Sequence, residues 1–112
     1  MSAKNKLSKL CIEQVRDEAK TTDQAIAFIK KFMKLYEKCR PDKEYRTYLT
    51  HYEFFAWINE IREAFASEDY VKAAYKLVDT FYEQREVIYQ SRVRSAILQL
   101  LQQYIKNEEM PI

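Results

Sequence analysis

The sequence predicts an all-α fold, a compact antiparallel helical bundle of four or five helices forming a single domain over residues 1–112. Three observations carry that prediction. The 112 residues include no glycine and only two prolines, so the residue that most readily makes left-handed turns, hairpins and bulges is missing. Apolar residues recur at i, i+3 and i+4 over most of the chain, the spacing of an amphipathic helix. Helix-start signals punctuate the pattern, with Thr21 followed by Gln24 and Thr50 followed by Glu53, each pair having the form of a capping box.

The first helix is expected from about Leu7 to Ala19, with Leu7, Leu10, Cys11 and Val15 on one face. Thr21 then caps a second helix from about Thr22 to Cys39, in which Asp23 sits in the first turn where the helix dipole favours an acid. Ala25, Ile26, Ile29, Phe32, Met33, Tyr36 and Cys39 form its inner stripe, and Pro41 ends it by excluding Arg40 from helical geometry. Asp42 begins a short helical turn through Leu49, and the Thr50–Glu53 box opens an apolar helix with Phe54, Phe55, Trp57, Ile58, Ile61 and Phe65 inside and Asn59, Glu60 and Glu63 outside. Ser67, followed by Glu68 and Asp69, marks the next start.

From Ser67 to Lys106 no glycine or proline interrupts the helical pattern, which permits one helix of about 60 Å. The apolar face argues for a break. Val71, Ala74, Leu77, Val78 and Phe81 define one stripe, and Val93, Ile97, Leu100, Leu101 and Tyr104 another, displaced by about 110° at 100° per residue. A bend near Gln90 and Ser91 gives five helices; the alternative is a long helix that leaves its own core for a partner's surface. Trp57, Phe54, Phe55, Phe32, Ile29, Ile61, Phe65, Val71, Leu77 and Phe81 are expected to dominate the core, and residues 1–6 and 107–112 to fray.

Composition narrows the function. Two cysteines, Cys11 and Cys39, and one histidine, His51, fall short of the roughly four ligands of a structural zinc site, and buried thiols fit a reducing compartment. No metal or cofactor is expected, and with neither a signal peptide nor a membrane span in the sequence the expected location is cytoplasmic. The net charge is only +2, but residues 1–46 hold twelve Lys and Arg against seven acids, and residues 47–112 seven against ten. The N-terminal half is therefore the one suited to an anionic partner.

The leading candidate site lies there. Lys30, Lys34 and Lys38 recur every four residues on the second helix beside Lys31, and the following loop adds Arg40, Lys43 and Arg46 with Tyr45 and Tyr48. Cations that track a phosphate backbone beside rings that stack on unpaired bases are the recipe for sequence-tolerant binding of single strands. Arg46 and His51, four residues between them, also resemble the spacing that HEPN ribonucleases use, a resemblance that would imply RNA cleavage by a helical dimer; Thr47 stands where that family usually has Asn, Asp or His. Glu53, Glu60 and Glu63 form an acidic set without the two histidines a dimetal bundle needs. Arg85, Arg92 and Arg94 are either further phosphate contacts or partners for Glu83 and Glu86.

These readings add up to a non-enzymatic helical subunit of a larger assembly that binds RNA or single-stranded DNA through its basic, tyrosine-bearing face. In size and helicity it is similar to the small helical subunits of CRISPR effector complexes, a likeness of architecture alone. The alternatives are a protein-binding adaptor or inhibitor that associates with itself or with other subunits, for which nine tyrosines supply interface material, and the ribonuclease. No catalytic residue is assigned and no membrane partner is expected.

Overall fold

The computed structural model describes residues 6–7, 9–10, 12–40, 51–84 and 87–105, with residues 51–55 described by their backbone alone. They form five helices: α1 (Ile12–Glu18), α2 (Thr22–Lys38), α3 (His51–Ala66), α4 (Tyr70–Glu83) and α5 (Ser91–Tyr104). No strand occurs among the described residues, as expected of an all-α bundle. The radius of gyration, 13.6 Å, is close to the ~13 Å of a folded chain of this length. Helix α4 is central, packing on α1, α2 and α3, while α5 lies against α2 and α3.

Local signals set the start of α2. The Thr21 hydroxyl accepts the Gln24 N–H at 3.2 Å, and Gln24 Oε1 accepts the N–H groups of Thr21 at 3.2 Å and Lys20 at 3.0 Å, so the capping box satisfies donors on both sides of the cap. The C-terminus of α2 is closed by more distant groups as well. Cys39 N–H bonds the Tyr36 carbonyl at 3.1 Å, the buried Cys39 Sγ donates to Leu35 O at 3.3 Å, and Arg94 Nη2 donates to Glu37 O at 2.8 Å. Three of the last four carbonyls, which no helix can satisfy internally, thus find donors.

The corner between α3 and α4 is a Schellman arrangement built without glycine. Glu68 N–H bonds Phe65 O and Asp69 N–H bonds Ala64 O, both at 2.9 Å, and Glu68 takes the left-handed conformation with φ 57°. A residue with a Cβ pays about 1–2 kcal/mol there. Asp69 then caps α4, its carboxylate accepting the Lys72 N–H at 3.1 Å. The start expected at Ser67 therefore falls two residues later, because Ser67 and Glu68 are used to finish α3.

The corner between α4 and α5 confirms the break and sets α5 at Ser91. Helix α4 ends at Glu83, and the capping Gln84 N–H bonds Thr80 O at 2.8 Å. Turn bonds from Val87 and Ile88 N–H to Gln84 O and from Gln90 N–H to Val87 O follow. Gln90, the residue before α5, makes no side-chain capping bond. The segment is instead driven into the core: Ile88, Tyr89 and Gln90 are buried, and the buried Tyr36 hydroxyl donates to the Ile88 carbonyl. The single long helix is overturned in this structure.

An aromatic cluster joins these parts. Phe81 packs edge-on to Phe32 at 4.5 Å and to Tyr36 at 4.8 Å between ring centroids, and Tyr89 meets Tyr36 at 6.1 Å; such pairs add about 0.5–1.5 kcal/mol each beyond area burial. At the other end Tyr104 stacks on Phe65 at 5.3 Å. Burial of Ile29, Phe32, Ile61, Phe65, Leu77 and Phe81 agrees with the expected core. Trp57 and Val71, expected inside, are half-buried on helix flanks, and Phe28, outside the expected stripe, is buried while Ile26 is not. The first helix is shorter than its apolar pattern: a turn closed by Leu10 N–H to Leu7 O at 3.1 Å precedes it, and buried Leu7 reaches the core from that turn. The tyrosines are also more internal than expected, since Tyr36 and Tyr89 are buried and Tyr70, Tyr75 and Tyr104 pack on the core edge, leaving Tyr82 as the exposed one among the described side chains.

Candidate nucleic-acid interface

The face of α2 opposite its buried stripe follows from the same 3.6-residue period. With Ala25, Phe28, Ile29, Phe32, Met33 and Tyr36 inside, positions 30, 31, 34 and 38 are left on the outer arc. Lys31, Lys34 and Lys38 are exposed and Lys30 is half-buried. From Lys30 to Lys38 the row spans about 12 Å of helix axis. Arg40, exposed, extends it past the extended Cys39 cap. The lysine pairs Lys30–Lys34 and Lys34–Lys38 are like-charge neighbours, each destabilising an isolated helix by about 0.2–0.5 kcal/mol; Lys38, in the last turn, recovers part of that from the helix dipole. Lys30 and Lys34 also make interactions within the chain.

Acids border this row. Asp23 lies in the first turn of α2, and Glu37 is turned toward α5, where Gln102 Nε2 meets its Oε1 at 3.5 Å. Lys43, Tyr45, Arg46 and Tyr48, the loop half of the expected site, lie outside the described residues, as do Asp42–Leu49 and the Thr50 cap. His51 is the first residue of α3; Arg46, its partner in the ribonuclease reading, lies outside the described residues.

In the remaining clusters, Glu60 and Arg94 have structural partners. Lys76 Nζ donates to Glu60 Oε2 at 3.3 Å, a surface pair bridging α4 and α3, worth at most about 1 kcal/mol; Glu63 is exposed. Among the described residues no group of three or more His, Cys, Asp or Glu is placed to hold a metal ion, and no helix is long and apolar enough to cross a membrane. Arg94, grouped by sequence with Arg85 and Arg92, serves α2 through Glu37 O; a contact between residues 57 apart leaves no local signal. Burial raises the Tyr36 hydroxyl far above its ordinary pKa of 10.0, a shift that the nearby Arg94 charge partly offsets, so it stays a hydrogen-bond donor. No family model, curated protein or solved structure matches the chain.

Proposed function

We propose that this protein is a non-enzymatic helical subunit of a larger assembly whose α2 outer face binds the phosphate backbone of RNA or single-stranded DNA without reading sequence. The observation that supports the reading is the row of Lys30, Lys31, Lys34 and Lys38 on the side of α2 turned away from its buried residues, with the exposed Arg40 just beyond the helix end. A rigid row of cations suits a polyanion: each neutralised phosphate releases counterions, and the like-charge repulsion along the helix is relieved when an anion lies across it. The chemistry needs no catalytic group, and base identity has no role in it. Tyr45 and Tyr48, next in the chain, are the residues assigned to base stacking.

Fluorescence anisotropy with a labelled single-stranded RNA, titrated over a range of salt, tests the reading. Binding is expected at low salt, with log K falling against log salt at a slope of about −3 if four or five cations each meet a phosphate. Undetectable binding at low salt, or affinity indifferent to salt, overturns the proposal and leaves the protein-binding adaptor in its place.

A further inference from the structure

The outer face of α2 holds a carboxylate in line with its cations. At 100° per residue Asp23 and Ala27 both fall within about 20° of Lys34. From the N-terminal end the face therefore reads Asp23, Ala27, the pair Lys30 and Lys31, Lys34 and Lys38. Asp23 and Ala27 are exposed. The cations fill only the C-terminal part of the face; its first turn ends in an anion, with a small apolar side chain between. The change of sign continues behind Asp23, where the α1–α2 corner exposes Asp17 and Glu18 against Arg16 and Lys20. Between residues 30 and 40, by contrast, Lys30, Lys31, Lys34, Lys38 and Arg40 stand against Glu37 alone.

The helix dipole favours an acid in the first turn of α2, but it does not select the outer arc. An acid at position 22, about 120° round from Lys34, would serve the dipole as well. Resting on the polyanion reading of this face, we infer that Asp23 ends the phosphate track: it confines a bound backbone to the stretch from Lys30 toward Arg40 and keeps it off the α1–α2 corner. Asp23 precedes Lys30 by about 10 Å of helix axis, which is one Debye length at about 0.1 M salt and a third of one at about 0.01 M. A phosphate carried past Lys30 over Ala27 leaves the cations behind and approaches the carboxylate. Like charges about 10 Å apart in water weaken binding by about twofold for each phosphate held there. The strand gains nothing by running on, so the described face neutralises the phosphates that Lys30 to Arg40 can reach and no more.

Charge changes at Asp23 test this against the same changes at Glu63, an exposed acid of α3. Each variant is titrated by anisotropy with a labelled single-stranded RNA over a range of salt, with circular dichroism as the check on folding. Asp23→Asn, the conservative change, is expected to bind about two- to fourfold tighter than wild type at about 0.01 M salt, an advantage that closes by about 0.15 M. Asp23→Lys opens one more position to phosphate and should steepen the slope of log K against log salt by about 0.7. Glu63→Asn and Glu63→Lys alter net charge equally and should leave the slope as it is. Matching behaviour of the Asp23 and Glu63 variants, or an Asp23→Asn protein that binds as wild type does at low salt, overturns the inference while the polyanion reading stands. A wild type that does not bind at low salt overturns that reading, and the inference with it.

Discussion

The two corners flanking α4 solve one problem by opposite means. Between α3 and α4 the chain reverses within three residues, through a left-handed Glu68 and the Asp69 cap, and all the bonds involved are local. Between α4 and α5 no side-chain cap is used; local turn bonds from the Val87, Ile88 and Gln90 N–H groups are joined by a tyrosine hydroxyl 52 residues away and by the burial of Ile88, Tyr89 and Gln90. A glycine-free chain can therefore turn either by accepting strain at an ordinary residue or by anchoring the turn in the core. The first corner is set by bonds among its own residues, and the second adds contacts from the rest of the fold to its local turn bonds.

The sharpest way to break that contrast is through the core beneath the second corner. Phe81→Ala removes the ring packed against Phe32, Tyr36 and Tyr89 and should cost about 3–5 kcal/mol in urea unfolding. Tyr36→Phe, which leaves a buried carbonyl unpaired, should cost about 1–3 kcal/mol. It should also change the alkaline limb. Because folding raises the Tyr36 pKa above its ordinary 10.0, the unfolded chain loses that proton first, and stability should fall above about pH 10 by up to ~1.4 kcal/mol per pH unit; in Tyr36→Phe this contribution should vanish. At the first corner Asp69→Ala should cost about 1 kcal/mol. Glu68→Gly should stabilise by about 0.5–1 kcal/mol, since glycine reaches positive φ without the Cβ clash. A thermal melt in which Glu68→Gly destabilises would refute the strain assigned to that residue.

Legibility in the sequence follows the same division. The Thr21–Gln24 box, the end of α2 ahead of Pro41 and the outward lysines of α2 are readable because each depends on residues within a few positions. The α4–α5 break is readable indirectly, from two apolar stripes out of phase. The start of α4 is misplaced by two residues because a left-handed glutamate has no signature in a chain where glycine would have given one. The bonds from Arg94 to Glu37 and from Tyr36 to Ile88 are invisible for a different reason, since they join residues more than fifty apart. Of the candidate site, the outward placement of Lys31, Lys34 and Lys38 on α2 is legible from the helical period, while Lys43, Tyr45, Arg46 and Tyr48 lie outside the described residues.

The second corner bears on function by holding α2, whose inner face is tied to it by Tyr36 and packed on Phe81 through Phe32 and Tyr36, and whose outer face presents the cations. The central claim is that this face, and not net charge, binds the polyanion. Two charge-matched variants test it by RNA anisotropy at low salt, with circular dichroism as a check on folding. One carries Glu at Lys30, Lys34, Lys38 and Arg40; the other carries Glu at Lys20, Arg62, Lys72 and Arg92, all exposed elsewhere on the described surface. The account predicts that the first loses binding and the second retains most of it, with both folded. Equal loss in the two would contradict it.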